Sequence, residues 1–584
     1  MNRSPTLPKD SSSTSEPSPP PDAWKNSPDA TKRGDLRLYC RRVFVYLLSF
    51  TAILHLIWGY ETPYAFVLNA FAFSLPGTLL AVLPALLPAR ASRPYLVISY
   101  VFLAVPAFIC ATHLVLFQTP VTAQSFFALF NAGSIPTGGF LQEHFAWHLC
   151  LLAAVITIIP AWLLHRALKI PQPAFGKAQA GLLIGLGSIV LALAMLLGPV
   201  KLLRSNILYN VYTSFAEFGS YMTRLQAGLW LNAGIHFTDA RLITPPEEER
   251  TIVIVIGDAA NRAHHSLYGY GRNTTPNLII ISDKLAVFKD VIATGTDPAA
   301  CLREILALPG PEGQTLPVMT LLNQAGFHTY WLSNQPDIEG PDTETARLAA
   351  PAQNDAHLNR GGDPRFYPGL DEQLLAPLEQ VLRDDPGRKV IFLRLMGSRP
   401  EYALRYPADF TRFANCSDIQ TGPDFTRGDC ASLNDYDNSI AYTDALLKDI
   451  IDLTARLAPE SALVYLAAHG ANAYGPPCQD SDNTGLKSIH YYQIPFFLWL
   501  SEGFQAANPD NAARWMQNTA HRATLSDFPY TLADLAGISF NGYDAARSLL
   551  SGQFLARPRL IDDRDYDAVF PAVNNRLPGD AHEP

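Results

Sequence analysis

The chain has 584 residues, of which 48% are hydrophobic and only 17% charged, and its mean hydropathy is +0.06. A soluble domain carries about a quarter charged residues, so this average excludes both an ordinary soluble enzyme and a pure membrane bundle. The formal net charge of −9 provides no basic face of the kind nucleic-acid binding requires, which excludes nucleic acid as the default partner.

The charges are segregated. Residues 1–35 are rich in Ser, Pro and charge, with too little apolar surface to offset the entropy of ordering, and read as a disordered cytoplasmic tail. Between Val43 and Val200 there are seven charged residues in 158 positions: Glu61, Arg90, Arg93, Glu143, Arg166, Lys169 and Lys177. Five apolar runs fall in this stretch, at 43–60, 65–87, 95–117, 145–164 and 182–200, each close to the ~20 residues that cross a bilayer. Basic residues precede the first run and occupy the connections after the second and the fourth, while 61–64 and 118–144 contain no Lys or Arg. Positive charge stays on the cytoplasmic side. The pattern therefore predicts a five-helix transmembrane domain over 36–201, an inside amino terminus, and everything after Lys201 outside the cytoplasm.

Residues 202–248 mix aromatics with sparse charge and read as an amphipathic linker at the membrane surface. The texture then changes. The runs 251–257, 328–334, 390–396, 462–468 and 495–501 are short buried strands, and 317–326 and 436–457 are amphipathic helices between them. Such alternation predicts a largely parallel α/β sheet over 249–556, followed by a loosely ordered tail, 557–584. Ligands bind at the carboxyl ends of such strands. That rule directs attention to Gly257–Asp258, Ser333–Asn334, Gly397–Arg399 and Ala468–Gly470. Outside the cytoplasm oxidation is permitted, so Cys416 and Cys430 are expected to pair across a polar loop, with Cys301 and Cys478 a second candidate pair.

The strings VIVIGDAANRAHHSLYGYGRNTTPNL (253–278), YWLSNQ (330–335), LMGSRPEYALRYPADFTRF (395–413), NDYDNSIAYTDALL (434–447) and YLAAHG (465–470) resemble, in order and spacing, the membrane-bound phosphoethanolamine transferases of the alkaline phosphatase and sulfatase superfamily. The likeness is strongest to the branch acting on the heptose of the lipopolysaccharide core. It implies a multi-pass α-helical membrane domain carrying an extracytoplasmic α/β domain of alkaline phosphatase type, in a bacterial inner membrane with the soluble part in the periplasm. It also implies a zinc-activated Thr that takes phosphoethanolamine from phosphatidylethanolamine and passes it to lipopolysaccharide or lipid A-type phosphates.

This chain departs from that pattern at the chemistry. The carboxylate after the first strand is Asp258. The position matching the nucleophile is Pro298, which has no hydroxyl, with Thr294 and Thr296 as neighbours and Thr296 as the fallback. The Asp of the family's Asp-His pair is Ala468, followed by His469; the Glu after Gly470 is Ala471; the Gly-Ser-His loop reads Gly397-Ser398-Arg399; and the later His-Gly position falls near Asp482. Asp258 and His469 are thus the residual metal ligands, fewer than the three protein ligands of a catalytic zinc. Each has a structural alternative, Asp258 as a helix cap and His469 as a hydrogen-bonded strand-end residue. Arg399, Asn334 and His490 are candidates for binding phosphate, because a guanidinium fork holds phosphate without a metal.

Two functions follow from the resemblance. One is a degenerate relative that binds lipid or phosphate, without a cofactor and in possible company with a paralogous transferase. The other is an active transferase with a remodelled site and zinc. Sulfatase or phosphodiesterase chemistry would need the same metal site. The ligand count favours the degenerate relative.

Overall fold

The structure is a computed structural model that describes residues 36–57, 84, 87, 89–117, 121, 125–126, 147–170, 207–232, 236–243, 249–311, 313–335, 343–359, 369–419, 427–473, 488–517 and 519–571. The chain divides into two compact units, one comprising 1–116 with 143–212 and the other 117–142 with 213–584.

The first unit contains α1 (Leu36–Ile57), α2 (Ala89–Phe117) and α3 (Trp147–Leu168), and α4 (Ile207–Asn232) begins in it. Two stretches within these helices, Arg90–Val115 and Leu151–Leu168, are long and apolar enough to cross a membrane. They coincide with the third and fourth apolar runs. The first run lies in α1, which starts earlier, in the basic residues that precede it; the second and fifth runs lie outside the described residues. Pro94 and Pro106 lie inside α2 and Pro160 inside α3, placements that helices in an apolar bundle tolerate because neighbours re-satisfy the freed carbonyls. Polar side chains link helices within this unit, as where Tyr39 Oη of α1 lies 3.0 Å from Ser92 Oγ of α2.

The second unit is built on a seven-stranded sheet of β1 (Thr251–Gly257), β2 (Leu285–Val287), β3 (His328–Ser333), β4 (Asn354–His357), β5 (Lys389–Arg394), β6 (Ser461–Ala467) and β7 (Phe496–Leu500), in the order β2-β7-β6-β1-β5-β3-β4. The strands from β6 to β4 are mutually parallel, and β7 pairs antiparallel with both β6 and β2. Strands β2 and β4 are absent from the sequence reading. They are only three and four residues long, and β4 is polar, so neither shows a buried run.

In β1 every residue is buried because both faces of the sheet are covered. Ile252, Ile254 and Ile256 enter one core with Cys301, Leu302 and Ile305 of helix α5 (Pro298–Leu306), whereas Val253 and Val255 enter the other with Leu446, Leu447 and Ile450 of α6 (Arg427–Leu457). Helix α6 starts nine residues before the predicted 436, in the polar segment around Cys430. A disulfide joins Cys416 to Cys430 there, and Cys301 is a free buried thiol. The second candidate pairing is therefore absent.

Register sets the site. Gly257 of β1 lies opposite Ala467 of β6, Ile256 opposite Arg394 of β5, and Ser333 of β3 also opposite Arg394. The four strands end level, so Asp258, Gln335, Gly397–Arg399 and His469 emerge along one edge.

Candidate active site

The turns after these strands are tight, and backbone contacts fix them. Ala468 N donates to Gly257 O and Ser398 N to Asp258 O, each at 2.9 Å. Gly397 has φ +58°, and a Cβ there would lie 2.7 Å from both N and O of Asp258, so this position needs glycine for conformation and for space. Asp371 clamps the same turn by accepting from Met396 N (2.7 Å) and Gly397 N (2.9 Å). On the other side of the site, a Cβ on Gly470 would meet His490 O at 2.2 Å and Gln493 O at 2.9 Å.

Asp258 is at the centre and buried. Its Oδ1 lies 2.9 Å from His469 Nε2 as an ion pair. Its Oδ2 accepts from Gln335 Nε2 at 2.6 Å. Gln335 also donates to Leu395 O at 2.7 Å and accepts from Arg399 Nη1 at 3.3 Å. His469 Nδ1 lies 2.8 Å from Gly470 O; a carbonyl only accepts, so that nitrogen carries a proton. Burial opposes charge on both partners, but the attraction outweighs it: the carboxyl of Asp258 is held well below its usual range by His469, Arg399 and Gln335, and the imidazole of His469 is raised by Asp258. Asp258 does not cap the helical turn that follows, because Asn261 does so by accepting from Ala263 N at 2.9 Å.

Pro298 opens α5, and Asp297 caps that helix by accepting from Ala299 N at 2.8 Å. Thr294 and Thr296 precede it, partly exposed. Burial, and then the charges of Asp258, Asp297 and Glu304, push the Cys301 thiol up to about 12, which keeps it protonated and unsuited to nucleophilic attack.

The edge thus brings Asp258, His469 and Arg399 together, with Gln335, which the sequence reading passed over. Asn334 turns away from them, its amide donating to Gly369 O (2.6 Å) and Asp371 Oδ1 (2.7 Å). His490 belongs to a neighbouring group, with Nδ1 3.1 Å from Asn261 Nδ2, and burial followed by the charge of His264 lowers it to about 4. Asp482 and Cys478 lie outside the described residues. Arg262 donates to Val291 O at 2.9 Å and Arg272 to Asp437 Oδ2 at 2.9 Å, both as scaffold.

Among the described residues, Asp258 and His469 offer two candidate zinc ligands, short of the three protein ligands that a catalytic zinc takes. Among the described residues no cluster of three or more His, Cys, Asp or Glu is arranged to hold a metal. Both oxygens of Asp258 are engaged, one of them by an amide N–H, and the Arg399 guanidinium faces the amide that holds the carboxylate.

Residues 250–538 match the sulfatase family. The chain is 28% identical over 478 residues to the phosphoethanolamine transferase EptC of Escherichia coli K12, and 27% identical over 487 residues to CptA of Salmonella typhimurium LT2, in each case across 76% of this chain and 81% of the relative. The crystal structure of the C-terminal periplasmic domain of Escherichia coli EptC superposes with a TM-score of 0.53 at 28% identity, covering 59% of this chain and 99% of that domain. The chain carries a sulfatase-family domain and is similar to the phosphoethanolamine transferases. A second structure of the EptC domain is a complex with zinc and matches with the same TM-score and coverage.

Proposed function

We propose that this chain is an inner-membrane member of the phosphoethanolamine transferase family whose site binds the phosphate of a lipid or lipopolysaccharide without transferring it. The observation that carries this reading is the Asp258 carboxylate. It is neutralised within the protein by His469, tied by Gln335 and bordered by Arg399, so charges that a metal would balance are balanced by side chains. Pro298 adds to this, since at the nucleophile position it offers no attacking oxygen. Phosphatidylethanolamine and lipid A-type phosphates are the ligands that family membership favours, and a paralogous transferase is a fitting partner.

The reading is tested by metal analysis of detergent-purified protein and by mass spectrometry of its Thr-containing peptides. The expected result is zinc far below one per chain and no phosphoethanolamine adduct. Stoichiometric zinc together with an adduct on Thr294 or Thr296 would favour the second reading, an active transferase with a remodelled site. One feature supports that alternative: Asp258 Oδ1 and His469 Nε2 face each other with no other hydrogen-bond partner among the described residues.

The same proposal places a cytoplasmic tail at 1–35, five spans within 36–201, a surface linker at 202–248, a periplasmic α/β domain at 249–556 and a tail at 557–584. It rests on the confinement of Lys and Arg to alternate connections. Reporter fusions after residues 90, 130, 172 and 250 are expected to alternate, with the last in the periplasm; a cytoplasmic signal at 250 overturns the topology.

A further inference from the structure

Helical turns after β5 bring a second arginine to the loop that carries Arg399. Arg405 is only 8% exposed. Its backbone N donates to Tyr402 O at 2.9 Å, and its Nη2 reaches the carbonyl of Pro400, the residue after Arg399, at 3.4 Å. Its Nε and Nη1 are buried and have no hydrogen-bond partner among the described residues. A buried guanidinium with two unmet donors is costly, and such a group calls for an acceptor that the described residues do not provide.

The nearby carboxylates do not fill that role. Asp258 is committed to His469 and Gln335, and Asp371 to Asn334 and the backbone N–H groups of Met396 and Gly397. Glu401, the remaining acidic group acting on Arg405, is exposed. Burial and then the like charge of Arg399 lower the pKa of Arg405, so the two cations are near enough to repel one another. An anion between them would relieve that repulsion and satisfy the open donors.

We propose that Arg405 and Arg399 together form a metal-independent site for a dianionic phosphate monoester, with Arg405 as the buried floor and the partly exposed Arg399 at the mouth. Two guanidiniums match the charge of a monoester better than that of a monoanionic diester, and their planar forks suit its terminal oxygens. The inference rests on the metal-poor reading of the site given above and adds to it a second binding residue and a ligand class.

The test is calorimetric titration of the full chain, purified in detergent and treated with chelator, with inorganic phosphate. Dihexanoyl phosphatidic acid, a lipid monoester, and dihexanoyl phosphatidylglycerol, a diester, serve as competitors. Phosphate is expected to bind without metal, and Arg399→Gln and Arg405→Lys are each expected to weaken it by roughly tenfold or more. The Lys variant keeps the buried charge, and a near-native melting temperature verifies that it folds. Displacement by phosphatidic acid supports the site with lipid as the source; no displacement by either lipid supports it with a soluble monoester as the source. Equal displacement by both lipids, or phosphate affinity unchanged in both folded variants, overturns the inference. Stoichiometric zinc with a Thr adduct defeats instead the metal-poor reading, whereas a zinc-free protein whose phosphate affinity is indifferent to Arg399 and Arg405 defeats only the present inference.

Discussion

Arg272→Ala is expected to lower the melting temperature of the α/β domain by roughly 5–10 °C, the largest loss of any single substitution considered for this fold. Arg272 is buried and ties three segments together. It bonds Asp418 through Nε (3.1 Å) and Nη2 (2.8 Å), and Asn434 and Asp437 of α6 through Nη1, both at 2.9 Å. It also donates to Asn415 O, beside the disulfide at Cys416. Asp437 is fully buried, and removing one partner of a buried pair costs about 3–5 kcal/mol because the remaining charge is uncompensated. His264 Nδ1 (2.8 Å) and Tyr270 Oη (2.9 Å) still contact Asp437, which puts the cost near the lower end. Asp418 is half exposed, so Asp418→Asn should cost under ~1 kcal/mol. Thermal melts of the purified chain, followed by tryptophan fluorescence, separate the two. A change of less than about 2 °C in Arg272→Ala would show that the network is dispensable.

Restoring chemistry is expected to require several substitutions at once. Pro298→Thr alone should leave zinc content and transfer at the level of the unmodified protein, because a hydroxyl without a metal is a poor nucleophile. Combining it with Asp258→Glu, Ala468→Asp and Arg399→His adds a carboxylate and an imidazole to His469. The set then exceeds the three protein ligands that a catalytic zinc takes, and zinc should rise toward one per chain. The fold is ready for the change at Ala468, whose backbone N is already anchored to Gly257 O at 2.9 Å. Gln335 is the residue that stands against it, since its amide N–H occupies the Asp258 oxygen at 2.6 Å. Gln335→Ala in the fourfold background should therefore raise zinc affinity further. Full metal loading by Pro298→Thr alone would contradict this account of the site.

Much of this protein is legible in residue order. The scarcity of charge between Val43 and Val200 separates a membrane-type half from an α/β half, because burying charge in hydrocarbon is costly. The five longest strands appear as apolar runs, since a sheet covered on both faces buries consecutive residues such as Val253 and Ile254 in opposite cores. The proposal that Pro298 and Ala468 stand where the family's nucleophile and metal ligand would be needs only residue identity, for a ring without a hydroxyl and a methyl group can perform neither role. The disulfide at Cys416 and Cys430 follows from compartment and local polarity.

The electrostatic character of the site was decided only by the tertiary structure. Gln335 reaches Asp258 from 77 residues away because β3, β5 and β1 end level, and nothing in YWLSNQ tells Gln335 from Asn334 as the residue that points inward. Asp371 holds the turn at Gly397 from a segment with no recognisable motif, and the open donors of Arg405 depend on how the loop after β5 folds back on Pro400. Sequence patterns report how often a side chain is buried, since burial repeats along the chain with the period of the element. Which amide meets which carboxylate depends on register between strands distant in sequence, a property of the assembled sheet that no local pattern encodes.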